Sequence, residues 1–390
     1  MALDSIRVLD LSQFLSGPRA AQLLADFGAE VIKIERPGGE SLRLIWKAVP
    51  VAERSFAILH RNKKGMTLNL RHPRGAELFT RLVKSADVVV ENLVPGTMER
   101  MGLGYERLAE INPRLIYLGI SGFGRTGPRA DQPAYDLIAQ ASGGIIALQE
   151  NPQRLPPVYW ADLVTGAFGA LAVMEALLER ERTGQGKLID LSMQDVMYLH
   201  NYRAHFVRAL GEQRAEAQSA LGMDFMATAG REVPFWNIYR TQDGLLALVA
   251  VTDAEWARLV EATGVEELSG KDFSNFPLRV LNRERGIELL TGWFASKSTE
   301  EAERMLRAAR VPCSAISDPD AVNEEEQLAA RDMLAQVDHP RLGPIDIPGS
   351  PLHNPEFKAH PDVGEHNEEI LGALGVSAEE IEELRGLGVV

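Results

Sequence analysis

The sequence predicts an α/β protein, a Rossmann-like large domain with a parallel sheet plus a smaller α+β domain. Three observations carry this reading. The first forty residues alternate strand, helix and strand. Helix-then-strand segments recur to about residue 200. Beyond residue 204 that punctuation stops.

In order, "IRVLDLS" reads as a buried strand and "GPRAAQLLADFG" as a helix with Pro18 near its start and Gly28 at its end. "AEVIKIE" is a second strand, completing a βαβ unit. "RGAELFTRLVKSADVVVENL" repeats helix then strand, and "INPRLIYLGISGFG" adds a strand that ends in a glycine-rich turn. A long apolar helix from about 163 leads to "KLIDLSMQD", one more strand running into a helix. Residues 1–203 therefore form the large domain, completed by 327–390. Residues 204–230 read as a linker. The small domain spans 231–326, with a strand pair around Asp243-Gly244, helices from near Asp253 and Thr299, and the strand "VPCSAI". The tail "HPRLGPIDIPGSPLHNP" reads as turns. A final helix follows, with Ser377 and Glu380 as a capping box.

Composition narrows the function classes. At 390 residues there is room for two or three domains. The net charge of −14 argues against nonspecific binding to nucleic acid or to an anionic membrane, so an anionic ligand must be met by a local cationic cluster. The one cysteine, Cys313, excludes an internal disulfide and a cysteine-based metal site, and a cytoplasmic setting is expected. No run of eighteen apolar residues occurs, and "MALDSIRVLDLSQF" reads as neither signal nor transit peptide.

Motifs exclude several chemistries. Glu35 closes the second strand where a ribose-binding acid would sit, but "LSQFLSGP" lacks the G-x-G-x-x-G needed for close approach to a pyrophosphate. No H-E-x-x-H, G-x-S-x-G or P-loop is present, and His200 and His205 are not spaced as a helical ligand pair. Positive charge gathers at Arg36 and in "HRNKKGMTLNLRHPRG", which carries Arg61, Lys63, Lys64, Arg71 and Arg74. That cluster suits a small polyanion or a solvated loop equally well.

One carboxylate stands out. In "PPVYWADLVTGAFGALAVMEALLERERTGQGK", Asp162 lies where a proline-led segment turns into a helix apolar on nearly every face, a pattern that predicts burial all round. Asp162 is either the N-cap of that helix or a poised nucleophile.

Eight motifs in one order, "GAEVIKIERPGG", "NKKGMTLNL", "VVVENLVPGTMERMGLGYE", "GFGRTGP", "AYDLIAQASGG", the Asp162 stretch, "TGQGKLIDLSMQD" and "GEHNEEIL", resemble the family III CoA-transferases. The resemblance is dense from about 5 to 200 and thinner in the small domain. It implies an acyl-CoA:carboxylate CoA-transferase in which Asp162 is the nucleophile and carries CoA as an aspartyl thioester. It further implies CoA contacts at Leu15 and Ser16, Arg36, Leu68, Asn69, Leu70 and Arg71, Asn92, Leu93 and Val94, Arg100, and Pro133, Ala134, Tyr135 and Asp136. Coenzyme A and acyl-CoA enter as substrate, a small carboxylic acid is the second substrate, and no metal or tightly bound cofactor is expected. The family pattern also implies an interlocked, ring-like homodimer. Two departures bear on substrate. The racemases of this fold carry histidine where Tyr135 stands, and tyrosine, with pKa about 10, is a poor base near neutrality. The glycine-rich loop of formyl-CoA transferase is missing between 204 and 245, which argues against oxalate and formyl-CoA. The alternatives are a 2-methylacyl-CoA racemase and a CoA-binding protein without chemistry.

Overall fold

A computed structural model describes residues 1–46, 49–149, 151–213, 233–352 and 356–390. Most of the expected 204–230 linker lies outside the described residues. The chain divides into two compact units, Met1–Ala204 with Glu326–Val390, and His205–Glu325.

Six strands form the sheet of the first unit: β1 (Arg7–Asp10), β2 (Glu30–Glu35), β3 (Lys63–Thr67), β4 (Val88–Glu91), β5 (Ile116–Ser121) and β6 (Leu188–Ser192). All pairings are parallel, in the order β3-β2-β1-β4-β5-β6. This is the Rossmann order. After β3 the chain returns to the other side of β1, so the loops beyond β1 and β4 diverge and open a crevice at their carboxyl ends. Alternate side chains feed two cores. Leu9, Ile32, Val89 and Tyr117 pack with the helices Pro73–Val83, Asn367–Ala373 and Ala378–Gly386, while Val8, Val31, Val88, Val90 and Leu118 pack with Ser16–Asp26 and Trp160–Thr183. Covering both faces is what makes the strands read as continuous apolar runs.

Strand β3 lies inside the cationic segment that the sequence left open between a polyanion site and a solvated loop. Its pattern hides it. Lys63 is a buried cation, and a side chain at Gly65 would meet Pro361 and the Asp362 carbonyl within 3 Å. The tail read as turns contains an antiparallel hairpin, β10 (Leu334–His339) with β11 (Gly343–Pro348), whose Val337, Ile345 and Ile347 are buried. Prolines at 344 and 348 masked its two-residue period. Ser377 caps its helix as expected. The Glu380 carboxylate, however, bonds Arg74 rather than completing the box.

In the second unit, β7 (Trp236–Arg240), β8 (Leu245–Val249) and β9 (Cys313–Ala315) form an antiparallel sheet packed by helices around Tyr239, Leu248, Trp256 and Phe294. The helices Asp253–Thr263 and Thr299–Ala308 begin at Thr252 and Ser298, each accepting a backbone N–H.

The helix Trp160–Thr183 departs from expectation. Ala161, Thr165, Gly169, Val173, Ala176 and Leu177 are buried, but Leu171 and Leu178 on the opposite face are 57% and 72% exposed. Only one face packs within this chain. By length and composition it is, among the described residues, long and apolar enough to cross a membrane. Its glycine-bearing face instead lies on the core: a Cβ at Gly166 would meet the Ser16 carbonyl at 2.6 Å, and one at Gly169 would meet Leu118 at 3.0 Å. These two glycines, about one and two turns beyond Asp162, let the long helix sit against Ser16–Asp26.

Candidate active site

The crevice at the switch point contains two adjoining cavities. The larger, about 520 Å³, is lined by Gln13, Lys33, Arg36, Glu40, Leu68, Asn69, Leu70, Arg71, Leu93 and Thr97 among others. The smaller, about 210 Å³, is lined by Gln13, Phe14, Ser16, Asn92, Leu93, Val94, Pro133, Ala134, Tyr135 and Asp162 among others. Gln13 and Leu93 belong to both, so the cavities meet where the loops after β1 and β4 part.

Asn92 holds that junction. Its side chain accepts the Gln13 N–H at 2.8 Å, donates to the Gln13 carbonyl at 2.8 Å, and reaches the Ser16 hydroxyl at 3.2 Å. From below, the Leu93 N–H donates to the Glu91 carboxylate at 2.7 Å. Burial pushes Glu91 up to about 7, against the pull of Leu93 and Arg125.

The cationic cluster resolves differently from its sequence reading. Lys63 is buried against Asp10 at 2.9 Å and Arg61 against Asp26 at 2.6 Å. Lys64 bridges Glu30 and Glu369, and Arg74 bridges Glu380 and Glu383. Of the five, only Arg71 has no carboxylate partner among the described residues, and it lines the larger cavity with Arg36. Arg36 donates to the Gly39 carbonyl at 3.0 Å, and Arg100 to the Thr97 hydroxyl at 2.8 Å. Glu35 is no ribose ligand. Its two oxygens take Arg43 at 2.8 and 3.0 Å.

Asp162 lies in the first turn of its helix, not at the N-cap, which is Tyr159. The cap of its own N–H comes from another helix: Asp136 Oδ1 accepts it at 3.2 Å, and Asp136 Oδ2 accepts from Gln140 at 2.7 Å. Gln140 also donates to the Val158 carbonyl at 3.0 Å, tying down the segment that enters the helix. Asp136 is thus buried with both carboxylate oxygens engaged, and it positions the start of the Asp162 helix. Burial first, and the Asp136 charge second, push Asp162 up to about 7. The Ser16 hydroxyl and N–H pull the other way. The helix terminus that Asp162 faces is therefore that of Ser16–Asp26. Its own first-turn N–H groups on Trp160, Asp162 and Leu163 are already bonded.

Most residues singled out from sequence line one of the cavities. Leu15, Arg100 and Asp136 do not: Leu15 precedes Ser16, and Arg100 borders the larger cavity through Thr97. Sequence reasoning missed Gln13, Phe14, Glu91 and Gln140. Glu91 had a usable signal, as a carboxylate at a strand end directly before "NLV".

Fold and site define an α/β enzyme with a cation-rimmed cleft across the carboxyl edge of its sheet and a carboxylate of raised proton affinity at one end. The chain belongs to CoA-transferase family III, whose profile matches residues 3–367, and it is a CoA-transferase. It is 32% identical to succinyl-CoA:glutarate CoA-transferase of Mus musculus, over 95% of this chain and 85% of that one. It is 33% identical to formyl-CoA:oxalate CoA-transferase of Streptomyces coelicolor, over 100% of this chain and 99% of that one. A CAIB/BAIF family protein from Brucella suis shares 30% identity, with a TM-score of 0.76 over 95% of this chain and 98% of that one.

Proposed function

We propose that this protein moves CoA from an acyl-CoA to a free carboxylic acid through a thioester on Asp162. The carrying observation is the carboxylate itself, at the end of the cleft, with the Ser16 hydroxyl and N–H beside it and a proton affinity that leaves it ionised only above about pH 7. A raised pKa makes a carboxylate a better nucleophile once it is deprotonated.

The Asp162 oxygen attacks the thioester carbonyl and CoA thiolate leaves, giving a mixed anhydride. The thiolate attacks the aspartyl carbonyl and expels the donor acid, leaving CoA on Asp162. The acceptor carboxylate attacks that thioester, releasing thiolate and forming a second anhydride. The thiolate then attacks the acceptor's acyl carbon and frees Asp162. Ser16 is the donor placed to stabilise the tetrahedral oxyanions. Arg36 and Arg71 at the larger cavity supply charge for the CoA phosphates.

The relatives' names point to short acids, mono- or dicarboxylic, as the exchange partners. Because one relative handles oxalate, the missing glycine-rich loop does not by itself decide against that acid. Incubation with acyl-CoA and hydroxylamine tests the intermediate. A hydroxamate on Asp162, seen by mass spectrometry, is the expected result, and an unmodified Asp162 during turnover overturns it.

The protein also works as a homodimer whose partner covers the outward face of Trp160–Thr183, where Leu171 and Leu178 stand exposed. Such a face is costly to leave in water. In the interlocked form that the resemblance implies, sedimentation from nanomolar to micromolar concentration shows one dimeric species. A folded monomer at any of these concentrations breaks the interlocked reading without touching the chemistry.

A further inference from the structure

The smaller cavity has two large aromatic walls, Phe14 and Tyr135, which meet edge to face with ring centroids 5.7 Å apart and planes at 89°. Phe14 is in the left-handed region, φ 61°, which a side chain adopts at a cost and a glycine would adopt freely. Strain of this kind persists where the surroundings hold it. Here they do. Gln13 is clasped by Asn92 in both directions, and Ser16, two residues on, is bonded to the same Asn92. Tyr135 is anchored just as closely, since its neighbour Asp136 accepts the Asp162 N–H. Each ring is therefore fixed through the backbone to a group that touches Asp162, although Tyr135 itself is 65% exposed. At about 210 Å³ the cavity falls below the ~300–1,000 Å³ of most small-molecule sites.

We infer that the Phe14–Tyr135 pair is the gauge that limits the length of the acyl group presented to Asp162. This rests on the acyl-transfer reading above and adds its specificity determinant: short acyl chains fit on the Asp162 side of the pair, and longer chains collide with it. An apolar wall of this sort discriminates about 10–200-fold per methylene.

The test uses the full chain, hydroxylamine and straight-chain acyl-CoAs from acetyl to octanoyl, reading enzyme-dependent acyl-hydroxamate, which needs no acceptor acid. Phe14→Gly removes the ring and relieves the backbone. Phe14→Ala removes the ring without glycine's backbone freedom, should glycine loosen the turn, and Tyr135→Ala cuts the pair from its exposed side. Expected is a rise of about tenfold or more in the octanoyl-to-acetyl ratio of kcat/KM for the Phe14 and Tyr135 variants alike. A ratio unchanged in both overturns the gauge, and a rise in only one overturns the pair. Asp162→Ala runs in parallel. If it still forms hydroxamate, the nucleophile reading fails and the gauge with it; if it is dead while the ratios stay put, the gauge alone fails.

Discussion

Asp10 and Asp162 are two aspartates near the same end of one sheet, with opposite fates. Asp10 ends β1, fully buried. Burial pushes its carboxyl up, but Lys63 at 2.9 Å, Lys33 and Ser12 together outweigh that and hold it below the ordinary range. Asp162 is less enclosed, yet burial and a second carboxylate, Asp136, push it up to about 7, with only Ser16 pulling down. Partners, not depth, separate a structural anion from a reactive one.

The largest break in that comparison is Asp162→Ala. Loss of a covalent nucleophile is expected to cost about 10³-fold or more in transfer, with CoA still bound, as exchange assays and calorimetry would show. More than a tenth of wild-type activity would make Asp162 another structural carboxylate.

Asp10→Ala acts on the other member of the pair. It strands Lys63 beneath the cleft, while Lys33 keeps Glu40 at 3.2 Å, and removing one partner of a buried ion pair costs about 3–5 kcal/mol. Denaturant melts should reveal that loss. Asp10 being held low, its contribution is present above the unfolded-state pKa and fades as pH falls through the lowered folded value, so the wild type and the variant should converge in strong acid.

Arg36→Ala with Arg71→Ala should weaken CoA binding about tenfold or more and flatten its salt dependence. Arg74→Ala is the control. Its guanidinium is already paired with Glu380 and Glu383, so titration calorimetry should find binding unchanged within roughly twofold.

The smallest effect is the most diagnostic. Transfer should rise with pH through about 7 as Asp162 ionises. Asp136→Asn keeps an oxygen for the Asp162 N–H but removes the like charge, so the acid limb of kcat/KM should move to lower pH by roughly one unit. An unmoved limb would assign the raised affinity to burial alone.

How far the sequence could be read follows the range of the interactions involved. The βαβ unit, the strands ending at Asp10, Glu35 and Glu91, and the long helix were legible because apolar period and capping are local. Strand β3 was not, since Lys63 is tolerated in the interior only through a carboxylate fifty-three residues away, and Gly65 only through the approach of Pro361. The hairpin at 334–348 was obscured by its own prolines.

By itself, the sequence determined the α/β class, the position of Asp162 at a helix start and the family motifs. These depend on residue type, period and order along the chain. Only the tertiary structure decided which charges stay free. Arg61, Lys63, Lys64 and Arg74 find carboxylates from distant segments and leave Arg71 beside Arg36. It also replaced the expected cap with Asp136 and set Ser16 beside the nucleophile. A charge's role depends on its nearest opposite or like charge in space, and the fold makes neighbours of residues far apart in the chain.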